Sequence, residues 1–513
     1  TEGQNIACCD AASLYLINEI NDHERELVVK LTQNDSISIP FEEMHFPLDE
    51  TSIAGFVAVT DSELNIPDAY QVSRDVAFKF NQSFDRKTGY RTKSVFAIPL
   101  TNKQQSVIGV LQFINRKKAR SLKITDEKSA IAYPLPFDSD INVLLQALAS
   151  QAGIAIENTI LQNDIKALFE GFVNASVAAI EQRDPTTSGH SFRVADLCVE
   201  LAQSVSVSNL IRLRNIRFTD TEVRELKYAA LLHDFGKVGV REAVLVKEKK
   251  LTAGSLENIH YRIMLAQERL KSQALGQQLA MYRNGGLDEA RFTEIDEQLQ
   301  QDVQMLKEFY NAILEVNEPS VLKQDNRDML DKINEYRLDI QDEELSIINR
   351  DEFDLLAIPK GSLSPTERKE IESHVVHTQN FLSHIPWTWE LQNVTTIAAA
   401  HHEKLDGSGY PYGMKDEEIP LPSKIMAVCD IYDALTASDR PYKRAMNTDR
   451  AIDILMEESG RGLLDRNLVQ VFADAKVFQA IDSKEYSTAT EFSSFSNHPC
   501  DVDEHLHDEA NLK

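Results

Sequence analysis

The 513-residue sequence has no apolar run near the ~18–20 residues that a membrane-crossing helix needs, so no membrane insertion is expected. Its opening residues, from Thr1, are not expected to form a signal peptide. Cysteine is scarce: Cys8, Cys9, Cys198, Cys429 and Cys500 are an odd set without zinc-type spacing. That excludes a disulfide framework and predicts a reduced, cytoplasmic chain. Basic charge is in deficit, with 54 Lys and Arg against 81 Asp and Glu and a formal charge of -27. Such a chain is a poor sequence-independent binder of duplex DNA, although a local basic or metal-lined pocket can still hold phosphates. Apolar residues make up 42% of the chain. That suffices for a sizeable core and excludes global disorder, and the length suggests about three units.

Residues 1 to about 140 carry strand signals. Ser13–Ile17 and Glu26–Leu31 are β-rich runs separated by a polar turn, and Ser94–Leu100 and Val107–Ile114 flank a polar hairpin loop, Thr101–Ser106. Short strands with helices at the ends predict one compact α+β domain. From 141 to about 182 the apolar period becomes helical. Ile141, Leu144, Leu145, Leu148, Ala152, Ile156, Ile160, Leu161, Ile165, Leu168 and Phe172 recur without a proline, which predicts a long connecting helix and a seam for a homodimer.

The rest of the chain reads as helical, from 183 to about 480, with a highly charged interruption at about 247–355. Within it Ile295, Leu299, Val303, Leu306, Ile313 and Val316 step at helical or heptad spacing, and Leu330, Ile333 and Ile340 continue after a break at Glu318-Pro319-Ser320. Asn284-Gly285-Gly286 reads as a turn. The expectation is one or more antiparallel helical hairpins, either a solvated insertion or a partner-binding finger. The stretch 481–513 is acidic and expected to be a disordered tail, whose His505 and His507 lack the rigid scaffold a metal site needs.

The chemistry lies in the histidines. His233-Asp234 and His401-His402 each follow an apolar helical run, His190 and His374 occupy further helix positions, and Asp430 follows the apolar Ile425–Cys429. One such histidine alone reads as a hydrogen-bonded helix residue. Together in one helical unit they read as a two-metal site, because neutral imidazoles suit Fe, Mn, Zn, Ni or Co and a carboxylate can bridge two ions. Lys237, four residues after His233, is expected on the same helix face, where it could hold a phosphate.

These residues resemble a known family. His233-Asp234-Phe235-Gly236-Lys237 is similar to the HDxGK signature of HD phosphohydrolases. His401-His402-Glu403-Lys404-Leu405-Asp406-Gly407-Ser408-Gly409-Tyr410-Pro411 resembles the HHExxDGxGYP signature of their HD-GYP subgroup. Glu418-Ile419-Pro420, Asp430–Thr436, Asp439–Lys443 and the entry stretch Arg183–Ser191 continue the likeness. The resemblance implies a phosphodiesterase that converts cyclic di-GMP to linear pGpG and/or GMP. It also implies residue roles. His190, His233, Asp234, His374, His401, His402 and Asp430 would be metal ligands, with Asp234 bridging. Lys237, Arg440 and Lys443 would contact phosphates, Tyr410 would line the substrate pocket, and Asp184 and Asp433 would sit near the attacking water. Asp234 and Lys237 would then share the catalytic work with Asp184 and Asp433.

The chain departs from the family twice. Three-metal members carry Glu four residues before the entry histidine, where this chain has Thr186. Two divalent ions per chain, Fe or Mn, are therefore expected. The loop after HDxGK is also interrupted by the insertion, which leaves two candidates for the next ligand. The family's Leu-Ser/Thr-Pro…His stretch fits Leu363-Ser364-Pro365 to His374, whereas His260, after Leu251-Thr252, falls two positions short. His377 is expected to be structural.

Phe84–Ser94, the strand after it, and Ile108–Arg116 resemble a GAF domain, closest to those of cyclic-nucleotide phosphodiesterases. Cyclic-nucleotide-binding members carry Lys where this chain has Arg116. Phe137-Asp138 is present, without an Asp-Glu after it, so the GAF ligand is left as an unknown small molecule. The resemblance implies a multidomain fold: an α+β GAF domain (1–140, antiparallel sheet flanked by helices), a connecting helix (141–182) and an all-α HD-GYP domain (183–480) with an inserted helical hairpin. It also suggests that a GAF ligand alters the helix, and the helix alters access to the metal site. Three rival readings stand: hydrolysis of another cyclic dinucleotide such as cyclic GMP-AMP, a catalytically silent cyclic di-GMP-binding or interaction protein, and an HD nucleotidase.

Overall fold

The computed structural model describes residues 2–21, 24–38, 43–184, 189–283, 288–340, 343–437, 445–482 and 484. Thr186, Arg440, Lys443, the Asn284–Gly286 turn and the histidines of the tail lie outside the described residues. Two compact units emerge, Thr1–Glu170 and Gly171–Lys513. Among the described residues no helix is long and apolar enough to cross a membrane.

The first unit runs α1 (Glu2–Ala7), β1 (Cys9–Asn21), β2 (Glu24–Asn34), β3 (His45–Pro47), α2 (Ile53–Thr60), β4 (Leu64–Ile66), α3 (Ser83–Thr88), β5 (Val95–Thr101), β6 (Val107–Lys117), α4 (Glu127–Ala132) and β7 (Pro134–Leu135). It then leads into α5 (Ser139–Arg183). The sheet order is β3-β2-β1-β6-β5-β4, with β7 added beside β6, and every pairing is antiparallel. The two-residue period of a strand sends alternate side chains of β5 to opposite faces. Val95 and Ala97 join α2 in one core, while Phe96, Ile98 and Leu100 pack with Leu145 and Ala149 of α5 in the other. Both faces are covered, which explains why β5 reads as a continuous apolar run.

One polar network is buried in this unit. Lys117 Nζ meets Asp10 at 2.6 Å with both side chains fully buried, Tyr90 donates its hydroxyl to Asp10 at 2.8 Å, and Asn115 donates to Tyr90 at 2.9 Å. Asn115 adopts φ 56° and accepts from the Lys93 and Ser94 amides. Arg116 instead reaches outward to Asp138 at 2.7 Å. The chain does hold an Asp-Glu pair upstream of Phe137, at Asp126-Glu127, where Asp126 caps α4.

The second unit is helical: α6 (His190–Val207), α7 (Asp220–Leu232), α8 (Glu242–Leu245), α9 (Ala253–Arg283), α10 (Glu289–Val316), α11 (Gln324–Glu335), β8 (Arg337–Ile340), β9 (Glu343–Ser346), α12 (Arg350–Leu356), α13 (Pro365–Glu372), α14 (His374–Ser383), α15 (Val394–Ala399), α16 (Leu421–Thr436), α17 (Thr448–Gly460) and α18 (Arg466–Asp474). Sequence-readable caps start several helices: Thr219 with Glu222, and Ser364 with Glu367 ahead of Pro365.

The insertion is more than a solvated excursion. Ile259 and Ile263 of α9, Leu306, Phe309 and Ile313 of α10, Leu330 and Ile333 of α11, and Phe353 and Leu356 of α12 form a core of their own. Its neck is laced shut. The buried Lys250 ammonium donates to the Leu356 and Ile358 carbonyls at 3.0 and 2.9 Å, and Asn317 accepts from the Leu251 amide at 2.7 Å. Ile340 does not continue the helical period of Leu330 and Ile333. It lies in β8, paired with β9 in a small hairpin.

Replacing Lys117 with Met strands the buried Asp10 carboxylate, a change that costs about 3–5 kcal/mol. A clearly lower urea midpoint for the first unit is the expected outcome; an unchanged midpoint would contradict this role for the pair.

Candidate metal centre

Seven side chains converge from five stretches of the second unit. His190 opens α6, His233 and Asp234 follow α7, His374 opens α14, His401 and His402 follow α15, and Asp430 lies inside α16. His233 does not sit within its helix as expected. The helix ends at Leu232, and Asp234 leads into a 3-10 turn, Phe235–Gly239. Lys237 therefore meets Asp234 across that turn, at 2.9 Å, and not along an α-helical face.

The local folding is specific. Gly236 passes so close to α14 that an added Cβ would lie 1.8 Å from the His374 carbonyl oxygen. Its amide donates to Thr378 Oγ1 at 2.8 Å, and that hydroxyl donates to the His233 carbonyl at 2.8 Å. One threonine thus pins the His-Asp turn to the helix that carries His374. Gly409 is equally confined, with the Lys404 amide nitrogen 2.4 Å from an added Cβ. The buried Glu403 accepts from the Tyr412 and Met414 amides at 2.7 and 2.9 Å, which shapes the loop holding Tyr410. Tyr410 lies against His402, with ring centroids 4.8 Å apart.

The imidazoles are oriented from behind. His233, His374 and His401 each set Nδ1 2.6 Å from the carbonyl three residues earlier, those of Ala230, Ile371 and Ala398. A carbonyl only accepts, so each Nδ1 carries a proton, and in a neutral ring Nε2 is then the atom with the lone pair. Nε2 of His374 and of His401 is buried without a hydrogen-bond partner. Such atoms are costly unless something fills the place they face. The donors form three groups, His374–His401–His402, His190–His233–Asp430 and His233–Asp234–His401, with the atoms of each group within 4.8 Å of one another. Asp234 faces two ways: Oδ2 is 3.7 and 3.5 Å from Nε2 of His190 and His233, and Oδ1 is 3.5 Å from Nε2 of His374. Asp430 Oδ1 is 3.2 Å from His190, and its Oδ2 is 3.8 Å from His402. Neutral nitrogen donors converging with two carboxylates fit divalent transition metals.

The electrostatics agree. Burial opposes ionisation of Asp234, but Lys237 and the surrounding imidazoles hold its carboxyl well below the usual range. Asp430 is likewise held down, against burial, by His190 first. Burial pushes His402 down to about 4 and also lowers His374 and His401. His190 differs: burial would lower it, yet Asp430 and Asp433 raise it to about 10. A site with ionised carboxylates and mostly neutral imidazoles attracts cations.

Asp433 is buried behind His190. It accepts from His190 Nδ1 at 2.7 Å and from Arg193 at 2.7 and 3.0 Å. That placement orients the imidazole of His190, a candidate ligand, from behind. Asp184 is 2.9 Å from Lys237 Nζ. Arg193 and Thr378 were not singled out in the sequence. Arg193 stands three residues after His190, a face-sharing step that could have flagged it. His260 is not in the cluster; it packs on Tyr310 in the insertion. His377 is exposed and would lie 2.7 Å from a Cβ at Gly239.

Comparison with known proteins fits this picture. The GAF domain family matches residues 2–156, and HD domain families match 187–349 and 353–468. A GAF domain is thus followed by HD domains. The cluster draws His190, His233 and Asp234 from the first HD stretch and His374, His401, His402 and Asp430 from the second. A 3'3'-cGAMP-specific phosphodiesterase of Vibrio cholerae is 39% identical over 97 residues, 19% of this chain and 20% of that protein. A cyclic di-GMP phosphodiesterase of Pseudomonas aeruginosa is 43% identical over 82 residues, 16% of this chain and 19% of that protein. The solved cyclic GMP-AMP-specific phosphodiesterase of V. cholerae aligns at 14% identity and a TM-score of 0.24, covering 60% of this chain and 49% of that one. The chain spans about a fifth of the length of these two curated relatives.

Second-sphere partners of ligating histidines typically contribute about 10–100-fold in metal affinity. Asp433→Asn should weaken metal binding by that order while the helical circular dichroism stays native; metal titration with unchanged affinity would deny Asp433 its orienting role.

Proposed function

We propose that this chain, in which a GAF domain precedes HD domains, is a metal-dependent phosphodiesterase that hydrolyses cyclic di-GMP to pGpG and/or GMP. The observation that carries the reading is the set of buried, outward-locked Nε2 atoms around the two-faced Asp234 carboxylate. In this reading His190, His233, Asp234, His374, His401, His402 and Asp430 would hold two divalent ions, Fe or Mn. Such ions would supply Lewis acidity toward a phosphodiester.

The chain's own residues do the rest. Asp433, braced by Arg193, fixes the tautomer and angle of His190. Lys237, 16% exposed and held by Asp184 and Asp234, presents a cation to the phosphoryl oxygens. Burial opposes its charge, but Asp234 and Asp184 raise its pKa, so it stays an ammonium. Tyr410, against His402, is assigned to the substrate side of the cluster. Arg440 and Lys443 are assigned to the remaining phosphate contacts from the sequence motif.

Regulation is proposed to run through α5. The helix begins among GAF core residues and ends at Arg183, whose guanidinium donates to the Val240 carbonyl at 2.9 Å. The next residue, Asp184, takes Lys237. Movement of α5 would thus be felt at the phosphate-facing cation. Leu161, Ile165, Leu168 and Phe172 leave an apolar stripe on α5, 51, 68, 76 and 44% exposed, which supports a homodimer along this helix. A second substrate, cyclic GMP-AMP, is supported by the likeness to the V. cholerae enzyme. The full donor set argues against a catalytically silent binder.

The test is a panel of cyclic di-GMP, cyclic GMP-AMP and a mononucleotide, offered to anaerobically purified chain reloaded with Fe(II) or Mn(II). Fastest turnover of cyclic di-GMP, abolished in His401→Ala, is expected. Preference for cyclic GMP-AMP would replace the substrate, and turnover of the mononucleotide alone would overturn the reading.

A further inference from the structure

Three of the stretches that bring the candidate ligands together are tied to one another by buried side chains outside the cluster. The middle stretch is α15. It has six residues, Val394–Ala399, and its end runs straight into His401 and His402. A helix this short does not hold itself together in water. Asn393, which opens it, makes no capping bond with its own side chain. Contacts from outside must therefore fix where its far end lies.

Apolar packing fixes only part of that. Val394, Ile397, Ala398, Ala399 and Ala400 are buried, and they set which side of α15 faces inward. Burial is non-directional, and the three alanines offer no large ridge to stop the helix sliding along its axis. Directional bonds are needed for that.

Two are present. Glu225 of α7, 5% exposed, accepts from the Asn393 amide at 2.6 Å and from Asn393 Nδ2 at 3.2 Å. The carboxylate thus takes up an amide that a helix start leaves open. Ser423 of α16, fully buried, donates to the Ile397 carbonyl at 2.9 Å. One bond holds the start of α15 and the other its last turn. Each comes from a helix with its own share of the cluster. His233 lies eight residues after Glu225, where α7 ends, and Asp430 lies seven residues after Ser423, two turns along α16. His401 in turn takes its ring orientation from α15, through the Ala398 carbonyl.

We infer that Glu225 and Ser423 are positioning residues for the His401-His402 end of the cluster. They hold α15 at a fixed height between α7 and α16, which keeps His401 within reach of His233 and Asp234. A metal constellation tolerates about 0.5 Å of misplacement, so even a small slide of α15 matters. The inference rests on the metal reading of the cluster and on no particular substrate.

Metal titration and cobalt(II) absorption of the full chain test it. Each variant is measured well below its own unfolding midpoint, so that loss of fold does not enter. Glu225→Leu keeps much of the volume and removes both acceptors, and Ser423→Ala removes one hydroxyl. Both are expected to weaken metal binding by about tenfold or more and to change the visible spectrum of bound cobalt, which reports ligand geometry. Glu225→Gln is expected to recover both readouts, because its amide oxygen accepts from the Asn393 amide and a flipped Asn393 side chain accepts from its NH2. If Glu225→Leu fails to fold, Ser423→Ala decides alone. A purely structural role would lower the unfolding midpoint and leave affinity and spectrum native; that result overturns the inference and leaves the metal reading in place. A native chain that takes up no metal overturns both.

Discussion

Asp234 is the constraint on which the second unit turns. Its carboxylate is buried among three imidazoles and one ammonium, with each oxygen committed to a different side. A buried anion is tolerable only when cations or hydrogen-bond donors surround it. Lys237 supplies one cation. The lone pairs of His374 and His401, which find no donor, leave places that metal ions would fill. The same requirement explains the backbone. Gly236 and Thr378 bring the His-Asp turn onto α14, and without that close approach Oδ1 of Asp234 would not reach toward His374.

The insertion respects this constraint. It enters between the HDxGK turn and α14, two pieces that must stay in contact, and it closes its neck with the Lys250 and Asn317 hydrogen bonds. Its own core contains no residue of the His/Asp cluster. A long excursion can therefore separate candidate ligands in sequence while leaving them adjacent in space. This is also why two HD-family matches, 187–349 and 353–468, contribute to one cluster.

Much of the site was legible because its chemistry restricts residue type and spacing. Imidazole and carboxylate pairs after apolar helical runs marked His233-Asp234 and His401-His402, and the Leu-Ser-Pro stretch marked His374 over His260. What the sequence hid were contacts made only by the tertiary fold. Arg193 braces Asp433 across 240 positions, and Thr378 reaches His233 across 145; a single polar residue on a helix gives no sign of so distant a partner. In the first unit, the apolar cores of β1 and β6 were visible, but β1 runs from Cys9 to Asn21, beyond Ser13–Ile17, because its polar ends are recruited by ladder pairing with β2. Ile340 was assigned to a helix on spacing alone, since three apolar residues in a short window fit either period.

Asp234, with one oxygen toward each side of the cluster, is placed to hold a pair of ions together. Anomalous diffraction at the metal absorption edge, on crystals of the anaerobically reloaded chain, would locate them. Two peaks about 3.5–4 Å apart are expected, one toward His190 and His233, the other toward His374, His401 and His402. A single peak, or a third at full occupancy, would contradict that arrangement.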